Sequence, residues 1–313
     1  LTVGGVTGVF KADGTLYGDK YPAIETVIAA RGGVIPDGAT AQVAIAEPGD
    51  VGPVTLEKPA TSIDLLVQKE SIPAIVSMEN GVLCANTLSM LARVGALTVG
   101  EQAGEGVLQA GNVLTLENFS KEEALTVNST LTADASGSKL SKTGCGEAVV
   151  ADLSGMWSAE PTEGRLSLSG TGDFKLTGAV AGGARLALSN LSNIAEQPAA
   201  NTISGLLVGK SGTGILEIGP GTAVTNRLYV GHGGCGAVYQ TGGYFYNRGK
   251  SGDGDQYRPG IGFDGYGYYE LRGGVYAEGG GTRQMCATAD SVGVLDIYGG
   301  AVKATGADQL WLN

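Results

Sequence analysis

An all-β chain wound as a parallel β-solenoid is the fold this sequence predicts, and three observations carry the prediction. Glycine supplies 54 of 313 residues, more than twice its usual share. Yet 42% of the chain is hydrophobic, so a large core is available and the glycines are not a linker. Apolar residues come in short runs rich in Val, Leu, Ile and Thr, the residues that fit pleated strands. Finally, one unit recurs in register along the last third of the chain.

The unit is clearest between Leu206 and Gly236. "LLVGKSGTG" from Leu206 lies without a gap beneath "LYVGHGGCG" from Leu228, matching Val208 with Val230, Gly209 with Gly231, Gly212 with Gly234 and Gly214 with Gly236. A third copy, "IGFDGYG", puts Ile261, Gly262, Gly265 and Gly267 on the same positions, and "ATADSVG" from Ala287 retains Gly293. The copies are offset by 22, 31 and 26 residues, and one further step of 25 lands on Leu312, as if the chain stopped at the first strand of another repeat. Behind the shared glycine they continue in step: Leu216, Val238, Tyr269 and Leu295, then Ile218, Gln240, Leu271 and Ile297, then Gly221, Gly243, Gly274 and Gly300. This alternation predicts a strand with one face inward, closed by a turn that needs positive φ.

A unit of 22 to 31 residues cannot bury its apolar face alone. Stacked at the ~4.8 Å strand spacing, successive units bury one continuous core and pair their backbones along the stack. A β-sandwich or barrel is the alternative, but it does not account for the unit-to-unit register.

Upstream, weaker versions of the unit occur at 97–118 and 164–190, the latter with strands expected at 166–168, 174–176 and 185–188. The organisation predicted is an irregular β region over 1–95, a degenerate solenoid over 96–205 and a regular one over 206–313. A boundary or a loop is expected near 156–161. Within 1–95, "ATAQVAIAEPG", "GPVTLEKPATSIDLLVQ" and "IPAIVS" look like strands with prolines at their edges. One short helix is expected around 86–92.

Net charge is −11, which argues against a nucleic-acid partner, since phosphate backbones need clustered Lys and Arg. No stretch reaches the ~18 apolar residues of a membrane-spanning helix. Cys84, Cys145, Cys235 and Cys286 are scattered, with no C-x-x-C; two disulfides are permitted, and four partly buried thiols are the simpler expectation. "GHGGCG" at 231–236 spells a formal G-x-G-x-x-G around His232, the only histidine. Within the repeat, however, His232 falls opposite Lys210 and Phe263, and Cys235 opposite Thr213 and Tyr266. The glycines recur and the reactive residues do not, and strand-like sequence follows where a dinucleotide motif needs a helix. The near phosphate loop at Lys210-Ser211 fails in the same way. Both are turns.

The tandem "LYVGHGGCGAVYQTGGYF" and "PGIGFDGYGYYELRGGVY" units resemble the autotransporter-associated β-strand repeats of large bacterial surface proteins. The likeness covers 206–313 and extends in patches over 97–190. It implies a right-handed parallel β-helix, secreted or displayed at the cell surface, and no catalytic or cofactor residues.

Candidate chemistry is sparse. Asp253 and Asp255 place two carboxylates one residue apart in a long loop and would suit calcium; without a third acid or a closing Glu, a solvated acidic loop is the favoured alternative. Ten of the twelve tyrosines follow residue 228. Tyr269 occupies an inward position, whereas Tyr244, Tyr246, Tyr257, Tyr266 and Tyr268 are candidates to contact glycans or a partner. Asp253, Asp255, Arg258 and Asp264 form the one dense charged group a polysaccharide lyase or hydrolase would use. The reading favoured is not an enzyme but a structural or adhesive protein, extracellular or on a bacterial surface. Its partners are other copies of itself, in a filament or sheath, or surface glycans.

Overall fold

The computed structural model describes residues 2–3, 6–7, 40–45, 49–51, 60–67, 74–76, 82–92, 96–194, 203, 205–248, 259–279, 283–286, 288–305 and 310–312. Among these residues the protein is all-β, with no helix. The chain divides into two compact units, Leu1–Met156 and Trp157–Asn313, and the division falls inside the strand Glu147–Pro161, not in a loop. Apart from an antiparallel pair at Thr2–Val3 and Val6–Thr7, the strands belong to one sheet whose neighbour relations close in a barrel-like circuit.

In the second unit the pairings from residue 206 onward are parallel and sort into three ladders. The first joins Leu206–Val208, Leu228–Val230, Gly260–Ile261, Arg283–Met285 and Leu310–Leu312. The middle one runs through Thr213–Ile218, Cys235–Gln240, Tyr266–Leu271 and Val292–Ile297. The third joins Ala223–Asn226, Tyr244–Arg248, Val275–Gly279 and Ala301–Thr305. Each strand therefore pairs with the equivalent strand of the next repeat. The sequence alignment is the pairing register: Gly214 lies opposite Gly236, Gly236 opposite Gly267 and Gly267 opposite Gly293.

One copy is corrected. The strand opposite Ile261 places Met285, not Ala287, in register with it. Two additional residues separate this strand from Gly293, which is why a gapless alignment misplaced it. Leu312 pairs with Met285, on the position the periodicity assigned it.

Alternation decides which side chains enter the core. Leu216, Ile218, Val238, Tyr269 and Leu271 of the middle ladder are buried, as are Leu206, Val208, Leu228, Val230, Val224, Phe245 and Tyr276 of the others. Each full burial of such a side chain contributes roughly 1.5–3 kcal/mol. Several polar groups admitted to this interior are bonded to one another. Tyr269 Oη donates to Gln240 Oε1 at 2.6 Å, and the Gln240 amide donates to Val275 O at 3.1 Å. Asn247 Nδ2 donates to Tyr276 Oη at 3.1 Å, and Tyr276 in turn donates to the buried Glu278.

Turns close the strands where glycine was expected to. Gly221, Gly243, Gly274 and Gly300 have φ between 71° and 83°. At Gly231 the reason is double. Its φ is 76°, and an added Cβ would sit 2.4 Å from Tyr266 O of the next repeat.

The first unit is built from parallel strands as well, with Thr40–Ile45, Ala60–Val67, Val82–Ala92 and Val107–Asn118 in sequence. The expected helix at 86–92 is instead part of the strand Val82–Ala92. Leu88, Met90 and Ala92 are buried and alternate with partly exposed residues. Pairing on both sides, with 60–67 and 107–118, overrides the helix preference of "NTLSMLA". The Gly-rich breaks expected between 168 and 174 do not end a strand. Arg165–Val180 is continuous, with register shifts between Leu168 and Gly170 and between Gly170 and Phe174.

Candidate functional site

The motif at 231–236 is a turn leading into a strand, as its repeat position implies. His232 stacks on Phe263 at 5.3 Å between ring centroids and meets the edge of Tyr229. Tyr229, Phe263 and Leu207 form a small buried cluster. His232 therefore serves packing. Asp264 is exposed, and its carboxylate accepts a hydrogen bond from Gly233 N. Asp253, Asp255, Tyr257 and Arg258 lie outside the described residues.

The remaining sequence-selected tyrosines are distributed over two ladders. Tyr244 and Tyr246 stand on the strand Tyr244–Arg248, and Tyr266 and Tyr268 on Tyr266–Leu271. Tyr244 and Tyr266 are exposed, Tyr246 and Tyr268 half-buried, and Tyr269 fully buried. Nor are the cysteines uniformly buried: Cys145 and Cys235 are exposed free thiols and Cys286 is half-buried. Cys235 heads a strand, where its side chain takes the outward position opposite Thr213 and Tyr266.

Among the described residues, an assembly of polar and aromatic groups lies on the outer face of the middle ladder. Register stacks its outward positions into columns. One runs Arg165, Arg185, Ile215, Ala237, Tyr268 and Val294. Beside it run Ser167, Ala187, Glu217, Tyr239, Glu270 and Asp296. Both arginines close on Glu217: Arg165 Nη2 is 2.8 Å from Oε2 and Arg185 Nη1 3.1 Å from Oε1. The Tyr239 and Tyr268 rings follow, 6.0 Å apart. Tyr268 Oη then lies 2.9 Å from Glu270 Oε2 and 3.0 Å from Asp296 Oδ2. Arg272 bonds Glu270 and covers the Tyr298 ring at 5.0 Å.

These contacts set the ionisation of the face. The hydrogen bond from Arg272, then that from Tyr268, holds the Glu270 carboxyl below its ordinary range. Tyr268 is pushed well above the usual phenol value, first by its bond to Glu270. Arg165, Arg185 and Glu217 thus stand at one end of the face and the Glu270 and Asp296 carboxylates at the other, with two tyrosines between.

A cleft of about 290 Å³ opens at the arginine end, lined by Arg165, Ser167, Glu217, Tyr239 and Thr241 among others. Sequence reasoning singled out none of these five residues as a site. A signal was present: "GRLSLSG" and "ARLALSN" carry Arg165 and Arg185 at the same position of adjacent copies. No helix among the described residues is long and apolar enough to cross a membrane. No family model, curated protein or solved structure matches the chain.

Proposed function

We propose that the chain is a right-handed parallel β-solenoid of the autotransporter-associated repeat kind, acting as a structural or adhesive element outside the cell or on a bacterial surface. The supporting observation is the unbroken repeat-to-repeat register of three parallel ladders across 206–312. What repeats is glycine at the turns and apolar side chains inside. The reactive residues sit at positions that vary from copy to copy, as in a scaffold and not in a catalyst. The rung 292–305 carries Ile297 56% and Val302 42% exposed, whereas Leu271 and Tyr276, their partners one rung earlier, are buried. Self-association would cover these exposed apolar side chains with another copy's rung.

Duplicating residues 206–227 in tandem tests the winding. A solenoid gains one rung, and its denaturation midpoint stays level or rises, because stability adds repeat by repeat. A closed barrel has no place for a further turn and would lose its cooperative transition. Electron microscopy across a concentration series tests the assembly. Filaments or sheets support self-association, and isolated particles at every concentration refute it.

A further inference from the structure

The geometry points to the cleft on the outer face of the middle ladder as a binding site for a neutral saccharide, with one sugar ring against Tyr239 and its hydroxyls on Glu217, Ser189 and Thr241.

The cleft is a gap in the outward columns. Its lining comes from four successive rungs, through Ser167, then Ala187 and Ser189, then Glu217 and Gly219, then Tyr239 and Thr241. Ala187 offers only a methyl group and Gly219 no side chain, while Glu217 and Tyr239, in the column of Ala187, are long. The volume, about 290 Å³, is that of roughly ten waters at ~30 Å³ each, and one sugar ring fits it. Tyr239, 36% exposed at the wall, presents an apolar ring to the C–H face of a sugar. Ser189 and Thr241 are exposed and bring hydroxyls, which both donate and accept. Thr241 Oγ1 lies 3.4 Å from Ile218 O, a long bond that leaves its lone pairs to accept.

The charges of the lining disfavour a charged ligand. Arg165 Nη2 is 2.8 Å from Glu217 Oε2, and Arg165 Nε donates to Ser167 Oγ at 3.2 Å, so this guanidinium is engaged. Each Glu217 oxygen meets one arginine, Oε2 the Arg165 of the lining and Oε1 the Arg185 outside it. A carboxylate has about four lone-pair sites, so Glu217, its side chain 23% exposed, can still accept from a sugar hydroxyl. An anionic ligand would meet this carboxylate with no unpaired cation among the lining residues to answer it. A cationic ligand would have to displace an arginine. What remains for recognition is an aromatic face, hydroxyls and one strong acceptor, the set that matches a neutral ring edged with hydroxyls. The site rests on the adhesive side of the reading above.

The test is isothermal titration calorimetry of the full chain with tetramers of glucose, galactose and mannose, each against the tetramer of its uronic acid. Saturable binding of at least one neutral tetramer is expected, with its acidic counterpart at least about tenfold weaker. Tyr239→Ala should weaken that binding about tenfold or more, and Thr241→Val about fivefold. Ala187→Leu removes no polar contact but fills the gap, and should abolish binding. All three positions lie on the outer face, so unchanged thermal melts certify that the variants fold. Tyr298→Ala, outside the cleft, should bind as the parent does. No binding of any neutral tetramer overturns the proposal, as does equal or tighter binding of the acidic counterpart. Binding that no cleft variant alters overturns the cleft and keeps the adhesive reading. None of these outcomes bears on the winding, which the tandem duplication tests separately.

Discussion

Two stretches of this chain, 97–156 in the first unit and 206–305 in the second, stack parallel strands by different means at their corners. In the second, side chains are removed. Gly209, Gly231 and Gly262 occupy one repeated position, and a Cβ on any of them would lie 2.4 Å from backbone atoms of the next repeat. Register then passes from copy to copy without a shift. In the first unit, side chains join such glycines at the corner. A Cβ on Gly144 or Gly146 would lie 2.4 or 2.0 Å from the carbonyl of Asn118 or Ser120, and side-chain hydrogen bonds add to that contact. Asn118 donates from Nδ2 to Glu123 O at 2.8 Å and Glu147 O at 2.7 Å, and accepts from Ser120 N. Glu105 accepts from the backbone of Glu101 and Gln102, and Ser138 Oγ donates to Ala110 O at 2.6 Å. Even a lysine is taken inside, with Lys142 Nζ donating to Thr143 O and Gly144 O. Here the register slips between Val127 and Thr130. Where the glycine contact recurs at the same position of every copy the spacing is held, and where side-chain bonds dominate the register shifts.

The sharpest way to break this contrast is a pair of glycine substitutions measured by urea denaturation. Gly231→Ala meets both the left-handed backbone and the carbonyl of Tyr266 and should cost about 3 kcal/mol or more. Gly104→Ala has a similar φ of 80° but nothing within 4 Å of the new Cβ, and should cost about 1 kcal/mol. Equal losses would show that close approach plays no part.

Next in size is Asn118→Ala. It orphans the buried partners of that corner, and a loss of about 2–3 kcal/mol is expected. A change within experimental error would mean that the first unit does not depend on side-chain corners. Tyr269→Phe is smaller. It leaves Gln240 Oε1 without its short hydrogen bond in the core of the second unit, for a loss of about 1–2 kcal/mol.

The same tyrosine sharpens the comparison through pH. Burial raises Tyr269 and Tyr276 well above the ordinary phenol value of 10.0. Their contribution is therefore complete below pH 10 and lost above it, because only the unfolded chain releases those protons. Stability should fall steeply on the alkaline side, and less steeply in Tyr269→Phe; identical alkaline limbs would refute the assignment. The smallest effect is on the acid side. Glu270, held low first by Arg272, supports the fold above its ordinary value of 4.5 and stops doing so as pH falls through its lowered one. Since Glu270→Gln keeps the shape of the side chain and its partner Arg272 is exposed, the substitution should alter only the foot of the acid limb.

The sequence was most legible where the backbone itself repeats. Gly214, Gly236, Gly267 and Gly293 could be aligned by eye, and they are hydrogen-bonded neighbours because a parallel ladder joins like to like. It misled where pairing outweighs local preference, as in the strand over 86–92. It misled again where two residues inserted ahead of Gly293 moved the strand to Met285. The outer cleft was less legible still. Glu217 and Tyr239 are one 22-residue repeat apart, but Arg165 lies 52 residues before Glu217, a separation that no repeat offset marks.

What the sequence determined by itself, then, is the strand alternation, the inward residues and the glycine turns, all properties of a short segment and the one beside it. Only the tertiary structure decided which outward side chains meet. Stacking places residues one repeat apart within ~4.8 Å of each other, and the identity of neighbours in that direction depends on every insertion between them.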